Sequence, residues 1–245
     1  MIELKNEGVY MKIVVFTDLH GSFNSLKSLV NCEDFKTADK IIFLGDVVVG
    51  CSRSNECIDY LKKLDCICLL GNNDSYVVNH IPEVDKAEFS NEKLIMIEWM
   101  KAHITTENKE IIKSWQKDYK LNIYNKIFYF THYAWEINNN DTNVVDTPQI
   151  KDVITRKEMF KDINADYIIF GHEHKTNYFI DKDKHYYCLG TIGLRNPGSY
   201  LVINITNNQI ELNEKFIEFD INEEIDLMDI AGYPYDKSKI KKQFT

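Results

Sequence analysis

Seven side chains that could bind metal ions are the chemically informative feature of this sequence. They comprise two carboxylates, four imidazoles and one amide, from Asp18, His20, Asp46, Asn72, His132, His172 and His174. Oxygen and nitrogen donors of these types suit Mn²⁺, Fe, Zn²⁺, Ni²⁺ or Co²⁺. Seven donors are too many for one tetrahedral ion and suit two ions that share a bridging ligand. Because paired ions about 3.5–4 Å apart support in-line displacement at phosphorus, the sequence predicts chemistry on a phosphate group.

Each of these donors follows a short apolar run that has the composition of a buried strand. The runs cover residues 12–17, 41–44, 66–70, 126–130 and 166–170. Such runs, rich in β-branched and aromatic residues, predict strands that are buried on both faces. Apolar residues at helical spacing follow the first two runs, so alternating strands and helices predict a largely parallel sheet. In such a sheet the five strand ends would lie along one edge, where open α/β folds bind ligands.

The remaining segments extend this α/β pattern. Residues 91–104 and 106–117 predict two helices, and residues 121–123 and 126–130 predict two strands joined by a tight turn. A helix over 149–164 follows, and then strands over 176–181, 185–189, 200–205 and 209–217. We interpret residues 1–245 as a single domain, in which residues 1–10 are an N-terminal extension and the charged residues 221–245 are a tail.

Residues 133–148 form a polar, asparagine-rich segment that predicts a long loop, and loops of this length are often binding loops or lids. Tyr133 and Trp135 in this segment have two possible roles. Their rings could stack on a substrate base, or they could pack the loop onto the domain.

Composition and charge narrow the class of protein. The chain has 29 basic and 38 acidic side chains, a net charge of −9, which argues against binding of long nucleic acid through a basic patch. A small phosphate ligand remains possible, because two divalent ions would carry a charge of +4 that two carboxylates only partly cancel. The charged N-terminus does not resemble a signal peptide, and no apolar stretch approaches the length of a membrane span. We therefore expect a cytoplasmic protein whose six cysteines are reduced.

The motifs that carry these donors resemble those of the calcineurin-like metallophosphoesterases. The family pattern DxH, GD, GNH(D/E), a lone His after a strand, and GHxH is matched here by DLH at 18–20, GD at 45–46, GNND at 71–74, TH at 131–132 and GHEH at 171–174. The segments GDVVVGCSRSNEC and LGTIGLRNPGSY further resemble a bacterial, diadenosine-tetraphosphatase-like branch. The resemblance covers about 11–205 and implies an α/β fold, a four-layer α/β/β/α sandwich.

The resemblance also implies roles for the seven donors. Asp18, His20, Asp46 and His174 would hold one ion, and Asp46, Asn72, His132 and His172 would hold the second, with Asp46 as the bridge. The cofactors would be two divalent ions, of which Mn²⁺ is favoured. A hydroxide shared by the ions would attack the phosphorus of a small phosphorylated substrate in line.

One position departs from the family pattern. The family has a histidine after GN, proposed to bind phosphate or to protonate the leaving oxygen, whereas this chain has Asn73. An amide donates a hydrogen bond but cannot act as a general acid at neutral pH. Asn73 is therefore the predicted catalytic residue, and it favours substrates with good leaving groups: nucleotide phosphoanhydrides and aryl, activated or cyclic phosphodiesters. Asp74 could orient Asn73 or a metal ligand, or it could cap the following helix.

Two other functions are compatible with these motifs. Serine/threonine protein phosphatases share them, and some relatives use the fold as a scaffold for protein assembly after losing metal ligands. All seven donors are retained in this chain, and its acidic surface and missing histidine disfavour a protein phosphatase. A phosphodiesterase is therefore the favoured activity, and the oligomeric state stays open.

Overall fold

The computed structural model describes residues 11–135, 153–206, 209–236 and 244. Within these ranges the chain forms ten strands and nine helices. The strands are β1 (Met11–Phe16), β2 (Lys40–Phe43), β3 (Cys66–Cys68), β4 (Asp118–Ile123), β5 (Lys126–Thr131), β6 (Tyr167–Phe170), β7 (Asn177–Asp181), β8 (Lys184–Cys188), β9 (Gly198–Ile205) and β10 (Ile210–Ile217). The helices are α1 (Phe23–Asn31), α2 (Glu33–Lys36), α3 (Ser54–Leu61), α4 (Asn72–Val78), α5 (Glu83–Glu88), α6 (Asn91–His103), α7 (Thr106–Ser114), α8 (Val153–Met159) and α9 (Ile221–Ile230).

The strands form two five-stranded sheets. The first has the order β10-β9-β1-β2-β3, and the second has the order β4-β5-β6-β8-β7. Pairing is parallel between β1, β2 and β3 and between β5, β6 and β8, whereas the outer strands β9, β10, β4 and β7 pair antiparallel. The expectation of one largely parallel sheet was therefore wrong. In the first sheet β1, β2 and the edge strand β3 are parallel and β9 and β10 are added antiparallel on the other side, whereas in the second sheet the parallel strands β5, β6 and β8 lie between the antiparallel edge strands β4 and β7.

The apolar runs of β1, β2, β5 and β6 are buried because these strands lie between a helical layer and the opposite sheet. In β1, Ile13 and Val15 pack into the cluster between the sheets, whereas Val14 and Phe16 pack against helices. In β5, Phe128 and Phe130 likewise face the first sheet. The predicted four-layer α/β/β/α sandwich is confirmed.

The charged C-terminal segment is not a tail over its described part, and that prediction was wrong. Residues 221–230 form α9, whose Ile225 and Met228 are buried in the core that covers the first sheet. Its charges lie on the other face, except for Glu224, which is fully buried beside Arg53. Beyond the helix, the Tyr233 hydroxyl accepts a hydrogen bond from the backbone N–H of Gly50 at 2.8 Å. Net charge misled the prediction because it hides a stripe of apolar residues at helical spacing.

Several other predictions fall at the borders of the described ranges. Residues 1–10, residues 136–148 of the predicted loop and the start of the predicted 149–164 helix lie outside them. Helix α5 was not predicted, and β4 begins three residues before the predicted strand. The six cysteines are unpaired. None of the helices in the described ranges is both long and apolar enough to cross a membrane.

We expect Glu224→Ala to lower the free energy of unfolding by up to about 3–5 kcal/mol, because it leaves the partly buried guanidinium of Arg53 without its partner. Arg53 donates to Glu224 through Nε at 3.1 Å and through Nη2 at 2.6 Å, and the N–H of Asn24 donates to the same carboxylate at 3.2 Å. Urea denaturation gives the free energy of unfolding. The matched control is Asp226→Ala, which removes an exposed acid from the same helix. Equal stability of the two variants would contradict a role for Glu224 in fixing α9.

Candidate metal centre

The seven predicted donors come together where strands of both sheets end. Asp18 and His20 follow β1, Asp46 follows β2 and Asn72 follows β3, all in the first sheet. The other donors follow strands of the second sheet: His132 after β5, and His172 and His174 after β6. The prediction that the donors lie along one sheet edge was therefore incomplete, since the edges of two packed sheets build the site.

Direct contacts hold the two edges together. The backbone N–H of His172 in the second sheet's loop donates to Asp18 Oδ2 at 3.0 Å, which joins the two loops across the sandwich. The N–H of Asp18 donates to the carbonyl of Gly45 at 3.0 Å, so the β1 and β2 ends are also fixed to each other. These two hydrogen bonds fix the loops that carry Asp18, Asp46 and His172 relative to one another.

Five of the seven donors have a left-handed backbone conformation. The φ angles of Asp18, His20, Asp46, His172 and His174 lie between 51° and 74°. L-residues in this region cost about 1–3 kcal/mol each and persist only where the surroundings fix them. The strained conformations turn these side chains out of the strand direction and toward a common point.

Three donors form one cluster, which we call the Asp18 group: Asp18, His20 and His174. His174 Nε2 lies 3.1 Å from Asp18 Oδ1 and 3.0 Å from His20 Nε2, and the three donor atoms lie within 4.8 Å of one another. His20 Nδ1 donates to the carbonyl of Val49 at 2.6 Å. Because Nδ1 carries the proton, the Nε2 lone pair of His20 is free and directed at the cluster. Burial disfavours the charged form of Asp18, but His174 and His132 outweigh this effect and hold the pKa of Asp18 well below its usual range.

The second cluster, which we call the Asp46 group, consists of Asp46, Asn72, His132 and His172. Asn72 Oδ1 lies 3.0 Å from His132 Nε2 and 2.8 Å from His172 Nδ1, and His132 Nε2 lies 3.4 Å from Asp46 Oδ2. Burial disfavours ionisation of Asp46, yet the charges of His132 and His20 hold the pKa of Asp46 below its ordinary value. Burial lowers the pKa of His172 to about 3, so this imidazole is neutral and able to act as a ligand at physiological pH.

Asp46 lies between the two groups. Its Oδ2 is 3.4 Å from His132 Nε2 and 3.9 Å from His20 Nε2 in the Asp18 group. Gly71 comes so close to this carboxylate that a Cβ at position 71 would overlap Asp46 Oδ1, which explains the glycine of the GNND motif. Asp46 therefore lies within 4 Å of an imidazole nitrogen of each cluster.

Asp74 holds the loop that carries Asp46. Its Oδ2 accepts from the N–H groups of Asp46 at 2.8 Å and Gly71 at 3.0 Å, and its Oδ1 accepts from those of Val47 at 2.9 Å and Val48 at 3.3 Å. Burial and the neighbouring Asp46 raise the pKa of Asp74 to about 7, while the four N–H groups favour its charged form. Because the bond from Gly71 also caps α4, both roles considered for Asp74 from sequence are combined in one side chain.

Asn73 contacts Asp46 with its backbone and its side chain. Its backbone N–H donates to Asp46 Oδ1 at 2.9 Å, and its side-chain amide donates to Asp46 Oδ2. The ammonium of Lys93 donates to Asn73 Oδ1. An ammonium has only donors, so this contact fixes the orientation of the amide.

Sequence reasoning missed Lys93, although a signal was present. Lys93, Ile97 and Met100 are spaced at i, i+4 and i+7 on α6, and the last two are buried. A lysine on the core-facing stripe of a helix is unusual, since buried charges need partners. That position in the pattern could have marked Lys93 as a site residue.

Tyr133 and Arg156 support the second sheet's loop. Tyr133 is buried with its ring 4.2 Å from that of His172, so it packs the site, and its predicted alternative role in stacking on a substrate base is not supported. The ring of Trp135 lies under the ammonium of Lys117 at 4.9 Å. Arg156 is buried and pairs with Glu173, the variable residue of GHEH.

The donor set fits divalent metal ions. Asp18 Oδ1 is buried and lacks a hydrogen-bond partner among the described residues. His20 and His174 bring two imidazole nitrogens within 3.0 Å of each other beside that carboxylate oxygen, an arrangement that a cation between them would satisfy. The residues present could therefore hold metal, and nothing in their chemistry opposes it.

Comparison with known proteins gives the family. The family model for calcineurin-like phosphoesterases matches residues 11–176, which include all seven donors and Asn73. An uncharacterized protein of the archaeon Methanocaldococcus jannaschii is 31% identical over 120 residues. That alignment covers 49% of this chain and 48% of the archaeal protein, so the chain spans about half the length of this relative.

Solved structures share the fold over almost the whole chain. A metallophosphoesterase from Sphaerobacter thermophilus has a TM-score of 0.73 at 17% identity. The superposition covers 95% of this chain and 98% of the Sphaerobacter protein. A hypothetical protein from Pyrococcus horikoshii OT3 has a TM-score of 0.74 at 15% identity. The superposition covers 95% of this chain and 97% of the Pyrococcus protein. At these identities the likeness concerns the fold alone, whereas the family model covers more than half of the sequence. The chain therefore belongs to the calcineurin-like phosphoesterase family.

Proposed function

We propose that this protein is a two-metal phosphoesterase that hydrolyses a small phosphodiester or a nucleotide phosphoanhydride. The observation that carries the proposal is the position of Asp46 between the Asp18 group and the Asp46 group, with its Oδ2 3.9 Å and 3.4 Å from an imidazole nitrogen of each. Two donor clusters that meet at one carboxylate are the arrangement needed for two ions with a shared ligand.

Each group has the ligands for one divalent ion. The first ion would be held by Asp18, His20, His174 and Asp46. The second ion would be held by Asp46, Asn72, His132 and His172. Mn²⁺ is the favoured ion among the borderline metals that these donors accept. When bound, such ions supply positive charge to the phosphate oxygens and lower the pKa of water to give a nucleophile.

The chain's own contribution is to hold the donors in position before substrate binds. Asp74 fixes the backbone at 46–48, and the bond from His20 Nδ1 to Val49 fixes the tautomer of His20. Arg156 and Tyr133 restrain the loop that carries His172. Donors held in this way need little reorganisation during the reaction, which is the main source of electrostatic catalysis.

The proposed substrate class rests on Asn73. The amide stands next to Asp46, where the family pattern has a histidine, and it has no acidic proton to give to a leaving oxygen. Reactions whose leaving group needs that proton would be slow, whereas aryl and phosphoanhydride leaving groups depart as anions. These substrates are small and need no extended basic surface, in keeping with the net charge of −9.

We expect a bis-aryl phosphate and the aryl monoester, which share an aryl oxide leaving group, both to be hydrolysed faster than an alkyl monoester such as glycerol phosphate. Loss of a positioned acid costs about 10²–10⁴-fold for leaving groups that need a proton. The measurement is kcat/KM for the three substrates with Mn²⁺ and with the other candidate metals.

The variant Asn73→His tests the reason for that ranking. It should raise kcat for the alkyl monoester by at least about tenfold, because it restores an imidazole at the acid position, and it should change the bis-aryl phosphate much less. Preference of the wild type for the alkyl monoester would reject the inference from Asn73.

Asp46→Asn should weaken binding of both ions together. Substitution of groups that only support a metal ligand commonly costs about 10–100-fold in affinity, and loss of a shared carboxylate should cost at least as much at each site. Calorimetric titration with Mn²⁺ reports stoichiometry and affinity. The control Asp226→Asn makes the same chemical change at an exposed position, and this variant should bind Mn²⁺ as the wild type does. Retention of one ion at full affinity would show that Asp46 does not bridge.

A further inference from the structure

Lys93 brings a positive charge from a helix outside the five metal-ligand motifs into the candidate metal centre. It lies in the first turn of α6, where Ser90 caps the helix by accepting from the Lys93 N–H at 3.2 Å. Its side chain extends toward Asn73, and its ammonium donates to Asn73 Oδ1. Asn73 in turn donates to Asp46 Oδ2, so the ammonium is two hydrogen bonds away from the carboxylate shared by both groups.

The surroundings hold this ammonium in place. Lys93 is half-buried, and its Nζ lies 5.8 Å from the centre of the Phe89 ring, which itself packs against Tyr76 of α4 at 5.4 Å. Burial is the main cause of a pKa of Lys93 below its ordinary value, opposed by the charges of Asp46 and Asp18. A lysine kept in this environment is costly for stability unless its charge is used.

The ammonium has unused hydrogen-bonding capacity at a position two hydrogen bonds from Asp46. Its contact with Asn73 uses one of three N–H groups, and Asn73 Oδ1 is the hydrogen-bond acceptor for Nζ in the described part of the chain. Its remaining N–H groups can therefore donate to a ligand. The ligand chemistry that suits them is an anion that also binds to metal ions, such as a phosphate oxygen.

We propose that Lys93 is a substrate-contacting residue of this site, whose ammonium donates to an oxygen of the phosphate group from the side where Asn73 replaces the family histidine. This inference rests on the proposed phosphoesterase function. It assigns the cationic part of that histidine's role to a residue 20 positions along the chain, while Asn73 orients both Lys93 and Asp46.

A competing explanation is that Lys93 only positions Asn73 and Asp46 or offsets their charge. The two explanations differ in what Lys93→Met changes. If Lys93 contacts phosphate, the variant loses phosphate affinity, but its Mn²⁺ affinity is unchanged or higher because a cation near the ions is removed. If Lys93 only positions the ligands, Mn²⁺ affinity falls.

The experiment measures two binding equilibria by calorimetry, without turnover. Mn²⁺ is titrated into metal-free protein, and inorganic phosphate is titrated into Mn²⁺-loaded protein, for the wild type, Lys93→Met and Lys101→Met. Lys101 is the matched control, because it lies on the same helix and pairs with Glu98 at the surface. If Lys93→Met does not fold, as judged by thermal unfolding, Lys93→Gln replaces it.

We expect Lys93→Met to weaken phosphate binding about 10–100-fold, the range for loss of a hydrogen bond from a charged donor, and Lys101→Met to bind as the wild type does. Unchanged phosphate affinity, or a parallel loss of Mn²⁺ affinity, would overturn the assignment of Lys93. Failure of the proposed function gives a different result. In that case the wild type itself neither binds Mn²⁺ nor hydrolyses the bis-aryl phosphate.

Discussion

The carboxylate of Asp74 accepts four backbone N–H groups, and the geometry of the centre depends on this interaction. Three of these groups belong to residues 46–48 at the end of β2, and the fourth belongs to Gly71 at the end of β3. A buried acceptor with four donors ties two strand ends into one unit. The left-handed conformation of Asp46 is stabilised by this contact, so the position of the Asp46 carboxylate follows from Asp74.

The backbone strain of the left-handed donors is maintained by the tight packing of the apolar strands that precede their loops. Each of the strands β1, β2, β5 and β6 is buried toward its carboxyl end. Strands that pack on two faces cannot shift to relax the loop beyond them, because a shift would open cavities in both layers. The five left-handed donors, at about 1–3 kcal/mol each, therefore persist as part of the binding site.

The sequence predicted the elements of this site well because their signals are local. Apolar runs of strand length, followed at once by Asp, Asn or His, place each donor at a strand end whatever the pairing of the strands. The sequence could not assign the strands to two sheets, since pairing partners such as β1 and β9 are almost 190 positions apart and a run like 126–130 fits either sheet. Net charge hid the buried stripe of α9, which contains Ile225 and Met228.

Contacts between side chains of different elements were the hardest to predict. The acceptor role of Asp74 depends on backbone groups 26–28 positions away, and no residue pattern encodes which N–H groups will point at it. Lys93 is a similar case, because its partner Asn73 is in another helix. Only its place on the stripe with Ile97 and Met100 could be read from the sequence, and this marks a half-buried charge without naming its partner.

The amide at position 73 and the lysine at position 93 are best understood as one unit. An imidazole next to Asp46 could donate to the carboxylate through one nitrogen and serve a substrate through the other. An amide donates from its nitrogen, but its oxygen can only accept, and this oxygen would face a centre that contains two buried carboxylates. A donor must satisfy it, and an ammonium does so while adding the positive charge that the imidazole would have carried. The side chain at position 73 therefore explains why a lysine is tolerated on the buried face of α6.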